Sequence, residues 1–247
     1  MTCLPARPGG AENPFGENML DLARLHVETL FTYDQDGRLL TVNEPAGAAA
    51  PRFFLARTPD GDVIRFRHDV DPALAREIET ACRDNPSLDI TRPTPSTQAK
   101  LEALLARTAP VQKRWAGPAY FFPNELPDAT GVVRIGSDNA HVLEKHLAEW
   151  LEDVERSKPL LAVLESGHAV SVCSSVRRGS HAHEAGVETV PGFRGRGHAV
   201  LATAAWAREV RRAGLVSLYS TSWENEASRS VAGKLDLIQY CADMHFT

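Results

Sequence analysis

The 247-residue sequence predicts a mixed α/β protein of the α+β type, with a β-sheet flanked by helices. Early in the chain, apolar β-forming segments surround Asp-Gly turns, which is typical of antiparallel hairpins. Later in the chain, apolar strands alternate with segments of helical periodicity, as β-α-β crossovers require. A sheet that carries helices on both faces satisfies both patterns.

The N-terminal half is predicted to contain two hairpins and two helices. Residues 1–18 are rich in Pro, Gly and polar residues, and they predict a loose terminal arm. Helical spacing predicts two helices, at 72–83 and 96–107, and Ser96 is the expected N-cap of the second. The strands of the two hairpins are predicted at residues 27–32, 39–42, 52–56 and 63–66, and two successive hairpins imply a small antiparallel sheet.

The C-terminal half alternates more regularly. The turn-rich segment 123–130 predicts a domain boundary near residue 130, between an N-terminal α/β domain (1–130) and a second domain (131–247). Helices are expected at 139–154, 197–212 and 225–235. The strands of this half are predicted at 132–135, 160–165, 169–176, 183–190, 215–220 and 237–246.

Composition narrows the class of protein. A charged fraction of 24% and a hydrophobic fraction of 43% are those of an ordinary globular chain. The formal charge of −5 argues against a nucleic-acid partner, because binding to phosphate backbones needs a basic surface. The four scattered cysteines suggest reduced thiols, and neither a secretory core nor an apolar run of membrane-spanning length is seen. A cytoplasmic protein without a membrane partner is therefore expected.

The most informative segment is the glycine-rich basic stretch at 187–199, which joins a predicted strand to a predicted helix. Glycines let backbone approach phosphate oxygens, and a helix N-terminus presents free N–H groups to an anion. A Walker A loop would need Gly-Lys-(Ser/Thr), whereas Gly197 is followed by His198 and Ala199. A dinucleotide fingerprint would need a preceding βαβ unit and a downstream acidic residue. Neither alternative fits.

The signature (Gln/Arg)-x-x-Gly-x-(Gly/Ala) is matched by Arg194-Gly195-Arg196-Gly197-His198-Ala199. A later strand-to-helix junction contains Asn225-x-x-Ser228, which matches a second pattern, Asn-x-x-(Ser/Ala). Over about residues 131–247 the chain thus resembles the GNAT superfamily of acetyl-CoA-dependent N-acetyltransferases. The resemblance implies a mixed, splayed sheet with acetyl-CoA in a gap between 184–190 and 215–220. The cofactor-binding residues that it implies are Thr189, Val190, Arg194, Gly195, Arg196, Gly197, His198, Ala199, Asn225 and Ser228. Arg194 and Arg196 would contact phosphate, and the N–H near Val190 would polarise the thioester carbonyl.

The resemblance also implies a base that deprotonates the amine. Glu184 is the first candidate and Glu188 the second, with a solvated or ion-paired carboxylate as the alternative for each. The family often carries a tyrosine as general acid where this chain has Ala232, so no acid is assigned. A non-catalytic sensor or scaffold that binds acyl-CoA is the competing interpretation.

The acceptor is expected to be a small-molecule or peptide amine, and the sequence leaves its identity open. No metal is expected, because His181-x-His183-Glu184 lacks a third ligand at a suitable spacing. A homodimer remains open, and the N-terminal domain would shape the acceptor pocket, form a dimer contact or be a degenerate half of a tandem arrangement. The short tail implies that the family's seventh strand is absent or comes from another chain.

Overall fold

The computed structural model describes residues 18–45, 47–85, 89–92 and 94–247. Of the predicted terminal arm, only Asn18 belongs to the described residues. The N-terminal half begins with a helix, continues through four short strands and two helices, and ends in a long strand. These elements are α1 (Met19–Leu30), β1 (Phe31–Tyr33), β2 (Leu39–Val42), β3 (Phe53–Thr58), β4 (Gly61–Phe66), α2 (Pro72–Arg83), α3 (Pro95–Ala106) and β5 (Arg114–Phe121).

The C-terminal half contains six strands and two α-helices among the described residues. Its elements are β6 (Val132–Ile135), β7 (Leu160–Glu165), β8 (His168–Arg178), β9 (Ala182–Thr189), α4 (His198–Arg212), β10 (Val216–Ser220), α5 (Glu226–Lys234) and β11 (Ile238–Phe246). Short 3₁₀ turns lie at Ala140–Leu143, Ala148–Asp153 and Pro191–Phe193. The strands and α-helices predicted from 160 onwards are confirmed to within one or two residues at each end.

Nine strands form one mixed sheet in the order β4-β3-β11-β5-β10-β9-β8-β7-β6, and β1 and β2 pair separately. Within the large sheet β9 and β10 run parallel, and the other neighbouring pairs are antiparallel. The predicted boundary near residue 130 falls in the loop between β5 and β6, and strands from both sides of it share the sheet. The division into 1–130 and 131–247 therefore stays a prediction.

Helices cover both faces of this sheet, as predicted. On β3, the side chains of Phe54 and Ala56 pack with α1, whereas Phe53 and Leu55 pack with α2 and α3 on the other face. Alternate residues of a strand point to opposite faces, so β3 separates the two cores. Helix α4 packs over β7, β8, β9 and β10, with Trp206 fully buried.

The first predicted strand, 27–32, is wrong over most of its length, because the chain is helical up to Leu30. The β-branched and aromatic residues favour a strand, but Leu22, Ala23, His26 and Val27 form one buried helical face. The Asn18 side chain caps this helix by accepting a 2.9 Å hydrogen bond from the Leu20 N–H. Tertiary burial along α1 therefore outweighs local β propensity.

The predicted helix at 139–154 is also wrong, because two short 3₁₀ turns occupy this segment. Leu143 and Leu147 are buried, while the Trp150 indole donates a 2.7 Å hydrogen bond to the Glu188 carboxylate on β9. Tight turns replace a continuous helix here because the apolar side chains and the indole are held at different parts of the sheet.

Two smaller expectations also change. The 52–56 and 63–66 strands form the predicted hairpin, but it joins the large sheet through β3 and β11 instead of building a small sheet with β1 and β2. Helix α3 begins after Thr94 rather than Ser96, and its cap makes no side-chain hydrogen bond. Pro95 at the first helical position fixes the start, since a proline there loses no helical hydrogen bond.

The N-terminal half supplies a strand to the C-terminal half. Strand β5 lies between β10 and β11 and pairs antiparallel with both. The chain after β10 then crosses β5 closely, where the Thr221 N–H donates to Pro118 O and the Trp223 N–H donates to Ala116 O. A strand of the N-terminal half thus completes this side of the sheet between β10 and β11.

This crossing predicts that Gly117→Ala destabilises the protein. A Cβ on Gly117 would lie 1.8 Å from the Thr221 carbonyl oxygen, so backbone must move. We expect a loss of about 1–3 kcal/mol in the free energy of unfolding, measured by denaturant titration. Gly233→Ala is the matched control, because it meets nothing within 4 Å and should stabilise α5 by at most about 1 kcal/mol. Equal stability of the two variants would contradict the close crossing.

Candidate functional site

Strands β9 and β10 lie side by side over only a short distance. They pair at Ala182 with Val216, at His183 with Ser217 and at Glu184 with Leu218. Beyond Glu184 strand β9 continues to Thr189, and β10 continues to Ser220, without further paired positions between them. The sheet is therefore splayed at the place that the sequence predicts.

One edge of β9 faces this gap. The Val190 N–H donates a 3.0 Å hydrogen bond to Val170 O on β8. Because N–H directions alternate along an antiparallel strand, the N–H groups of Val187 and Thr189, which lie beyond the last residue paired with β10, point away from β8, toward the gap. These two donors form an open strand edge on which an extended ligand can pair as a further strand.

A cavity of about 880 Å³ occupies the gap. This volume lies within the range of small-molecule and cofactor sites, about 300–1,000 Å³. Its wall is formed by β9, the loop after it, the start of α4, the end of β10 and α5, together with Leu30, Trp115, Asp243 and His245. The N-terminal half and the last strand therefore contribute to the same cavity as the glycine-rich loop.

The glycine-rich loop leads into the first turn of α4. Gly195 and Gly197 have φ values of 79° and 85°, a left-handed conformation that favours glycine. Gly197 precedes the helix without a side-chain cap, and the Leu201 N–H is the first to bond back, to Gly197 O at 3.2 Å. The N–H groups of the preceding helical residues, His198, Ala199 and Val200, are therefore free for an anion.

The two loop arginines have different surroundings. Arg194 lines the cavity, and its Nε donates a 3.1 Å hydrogen bond to Thr189 O. Arg196 is not among the lining residues: its guanidinium pairs with the Glu165 carboxylate at 3.2 Å and lies over the Phe193 ring. His198 lines the cavity and also contacts Glu165, at 2.8 Å. Of the two predicted phosphate contacts, the geometry favours Arg194.

The donor predicted near Val190 changes position. Because the Val190 N–H is already bonded to Val170 O, it is not free to polarise a carbonyl. The N–H groups of Val187 and Thr189 point into the gap instead, as the alternation along β9 requires. The sequence spacing alone does not tell which N–H groups of β9 face the gap, because this is fixed by the pairing of β9 with β8.

The second predicted junction lies across the cavity. The Asn225 side chain caps α5 by accepting a 3.0 Å hydrogen bond from the Ser228 N–H, and both residues line the cavity. The Ser228 hydroxyl shares a 2.5 Å hydrogen bond with the hydroxyl of Tyr219, and burial raises the pKa of that phenol. Ala232 is buried in the core beneath α5, only 2% exposed.

Glu184 belongs to a buried charge cluster. Its carboxylate lies 3.3 Å from His26 Nδ1 of α1, and His26 Nε2 is hydrogen-bonded to Asp243 of β11 at 2.9 Å. All three side chains are at most 4% exposed. Burial alone would lower the pKa of His26, but the Glu184 charge and the hydrogen bond to Asp243 raise it to about 10. His26 is therefore a cation between two carboxylates at neutral pH.

Glu188 lies further along β9 and has a different environment. It lines the cavity, and one carboxylate oxygen accepts the hydrogen bond from Trp150 Nε1. Its side chain is half-buried, and the indole holds it in place. The structure thus brings both predicted carboxylates to the cavity, with Glu184 deeper and Glu188 nearer the phosphate loop.

Four residues at the cavity were missed by sequence reasoning: His26 beside Glu184, and Trp115, Asp243 and His245 in the wall. They come from α1, β5 and β11, far from the glycine-rich loop in the sequence. The available signal was weak: a histidine on the apolar face of α1, and Asp243 and His245 two residues apart on one strand face. No short motif connects residues that only the sheet order brings together.

Within residues 18–45, 47–85, 89–92 and 94–247, three or more His, Cys, Asp or Glu side chains nowhere form a group suited to a metal ion. Across the same residues, no helix has the length and apolarity needed to cross a lipid bilayer.

The geometry defines a class: an α/β protein with a split sheet, whose cavity has the shape and the free N–H groups to accommodate an extended, phosphate-bearing ligand. Residues 161–240 match the family model of GNAT acetyltransferases, and this segment contains the splayed strands, the glycine-rich loop, α4 and α5. The match lies in the C-terminal part of the chain and supports membership of the GNAT superfamily. It also supports acyl transfer as the general chemistry.

No curated protein matches the sequence. Among solved structures, the chain is similar to a GNAT-family acetyltransferase described from Novosphingobium aromaticivorans, with 18% identity and a TM-score of 0.47 over 55% of this chain and 65% of that one. It is also similar to a GNAT-family acetyltransferase from Colwellia psychrerythraea, with 12% identity and a TM-score of 0.47 over 94% and 98%. At TM-scores below 0.5 neither similarity bears on function.

The charge cluster predicts a pH dependence of stability. The pKa of His26 is about 10 in the folded protein against an ordinary 6.5, so its protonated form stabilises the fold. This contribution is complete below pH 6.5 and is lost as the pH rises through 10. We expect the melting temperature to fall more steeply between pH 7 and 10 in the wild type than in His26→Gln. His141→Gln, an exposed histidine, is the control. Parallel profiles for wild type and His26→Gln would disprove the assignment.

Proposed function

We propose that the protein is an N-acyltransferase that moves the acetyl group of acetyl-CoA to an amine by direct attack in a ternary complex. The observation that carries this proposal is one continuous cavity. It joins the free N–H groups at the start of α4, the unpaired edge of β9 and the buried Glu184 carboxylate. A phosphate site, a row of backbone donors and a proton acceptor are the three features that the chemistry needs.

The phosphate end of the cavity fits the pyrophosphate of CoA. The first turn of α4 offers backbone N–H groups, and the helix dipole adds positive potential there. Cationic Arg194 and Lys234 also line the cavity, so this end suits an anion. Two glycines in the left-handed conformation keep side chains away from the backbone that contacts phosphate.

The edge of β9 fits an extended pantetheine arm. The arm pairs with the N–H groups that point into the gap, and Asn225 and Ser228 line its opposite side. In this arrangement the N–H of Val187 or Thr189 donates to the thioester carbonyl. A hydrogen bond to the oxygen on which negative charge develops stabilises the transition state.

Glu184 is the proposed base. An alkyl ammonium with a pKa of about 10.4 must lose a proton before it attacks a thioester at neutral pH. The Glu184 carboxylate lines the cavity, and His26 holds it from behind through their ion pair. Glu188 remains the second candidate, since its carboxylate lines the same cavity nearer the phosphate loop.

A non-catalytic acyl-CoA sensor is the second candidate, and Ala232 favours it. The position where the family often carries a tyrosine acid holds a methyl group packed in the core. Binding of acetyl-CoA is common to both candidates, whereas release of free CoA thiol in the presence of an amine belongs to the enzyme alone.

Acetyl-CoA binding is expected to raise the melting temperature of the wild type. Arg194→Gln should weaken this binding by about tenfold, because it removes a charge-assisted contact to phosphate. Arg196→Gln is the matched control and should bind like the wild type, since Arg196 is paired with Glu165 outside the cavity. No stabilisation of the wild type by acetyl-CoA would overturn the enzyme and the sensor together. Unchanged binding in Arg194→Gln would overturn the role of Arg194, and equal losses in the two variants would contradict its distinction from Arg196.

Glu184→Gln should lower kcat for thiol release with an amine by about 10²- to 10⁴-fold, the usual contribution of a general base. Its affinity for acetyl-CoA should stay unchanged, because Glu184 lies away from the phosphate loop. Glu188→Gln is the comparison, with a smaller effect expected. Full turnover and an unchanged pH profile in both variants would eliminate the carboxylate mechanism. Acetyl-CoA binding without thiol release for any amine would favour the sensor.

A further inference from the structure

Part of the cavity wall is formed by residues that the proposed reaction does not yet use. Asp243 and His245 of β11, Trp115 of β5 and Leu30 of α1 form this wall beside Glu184. Leu30 and Trp115 belong to the N-terminal half of the chain. This acceptor end, defined by Leu30, Trp115, Glu184, Asp243 and His245, has its own chemistry.

At the acceptor end, four buried polar atoms lack a hydrogen-bond partner within the described structure: Glu184 Oε1 and Oε2, Asp243 Oδ1 and His245 Nδ1. Of these, Glu184 Oε2 has the ion-pair contact with His26. Glu184 and Asp243 are 3% and 1% exposed, yet both line the cavity. A buried carboxylate oxygen without a donor costs free energy, so such atoms indicate a ligand that brings donors. The carboxylate oxygens need N–H or O–H groups, and an ammonium offers three N–H donors.

The charge at this end is negative. Glu184 and Asp243 carry two negative charges, and the single cation between them is His26. Arg177 also lines the cavity, but its guanidinium is paired with Glu44. Burial lowers the pKa of His245, so that imidazole is neutral at pH 7 and adds no charge. The net charge of about −1 favours a monovalent cation and disfavours an additional carboxylate.

An aromatic wall lies beside these acceptors. The indole of Trp115 stacks on the His245 ring with centroids 5.2 Å apart and an interplanar angle of 4°. Phe31 meets the same imidazole edge-on at 6.3 Å. Flat apolar faces next to a negative charge suit an organic ammonium that carries an apolar or aromatic group.

On the proposed N-acyltransferase function, we infer that the acceptor end binds the ammonium of a primary amine that lacks a neighbouring carboxylate. Asp243 acts with Glu184 as the counter-charge that selects the cation, and Trp115 with His245 contacts its apolar part. His26 holds both carboxylates in place and cancels one of their charges. The N-terminal half therefore contributes to the choice of acceptor through His26, Leu30 and Trp115, while the loop and α4 hold the CoA ester.

Three matched probes test this inference: 2-phenylethylamine, L-phenylalanine and 2-phenylethanol. They share the phenyl group and differ in the ammonium and the carboxylate. Each is added to the wild-type complex with CoA, and the melting temperature is compared at matched ionic strength. We expect 2-phenylethylamine to stabilise the complex most. Equal or greater stabilisation by either other probe, or none by 2-phenylethylamine, overturns the inference.

Asp243→Asn supplies the second measurement. It keeps an oxygen for the His26 hydrogen bond but removes the charge, and it should weaken 2-phenylethylamine binding by about 10- to 100-fold. Asp236→Asn, an exposed aspartate outside the cavity wall, is the control. An unchanged affinity for the amine in Asp243→Asn would overturn the role of that carboxylate.

The affinity for acetyl-CoA should be the same in Asp243→Asn and Asp236→Asn. Measuring it distinguishes failure of the proposed acyltransferase function from failure of the inferred acceptor class. If the wild type does not bind acetyl-CoA, the proposed acyltransferase function is contradicted. If the wild type binds acetyl-CoA but is not stabilised more by 2-phenylethylamine than by the other two probes, only the inferred acceptor class is contradicted. Because the comparison of the three probes uses the wild type alone, it decides the question even where Asp243→Asn does not fold.

Discussion

The parting of β9 and β10 after Glu184 and Leu218 is the constraint on which the rest of the structure depends. It divides one sheet into two blocks, β6 to β9 on one side and β10, β5, β11, β3 and β4 on the other. Only three residue pairs join the blocks along the sheet. An unpaired strand edge inside a protein needs polar partners, and the cavity beside β9 has room for a ligand that could provide them.

Other elements must hold the two blocks together. Helix α4 lies on one face and contacts β7, β8 and β9 of the first block and β10 of the second. On the opposite face α1 contacts both β9 and β11, and there His26 joins Glu184 of one block to Asp243 of the other. The same ion pairs that close the split thus set the charge at the acceptor end. One buried cation, supplied by α1 of the N-terminal half, thus links the stability of the split sheet to the inferred acceptor site.

The glycine-rich loop was predictable because its signals are local. Left-handed glycines, a helix start and a preceding strand all lie within about a dozen residues, and short-range geometry decides them. The acceptor end was not predictable for the opposite reason, since Trp115 and Asp243 meet the cavity only through the strand order. The strand expected at 27–32 is wrong for the same reason, because contacts distant in the sequence decide the structure of this segment. Its helical face is stabilised by packing on β3 and β11, which no local propensity records.

Ala232 removes a tyrosine acid that the family often uses, and the proposed chemistry tolerates its loss. A thiol with an ordinary pKa of about 8.5 is a better leaving group than an amine with one of about 10.4, so the tetrahedral intermediate expels thiolate without prior protonation. The Tyr219 and Ser228 hydroxyls line the cavity and share a hydrogen bond. Since burial raises the Tyr219 pKa, that hydroxyl keeps its proton at neutral pH and donates a hydrogen bond rather than the proton itself. The missing acid therefore affects only the departure of the thiolate, which needs protonation least. Deprotonation of the incoming ammonium is the role proposed for the buried carboxylates.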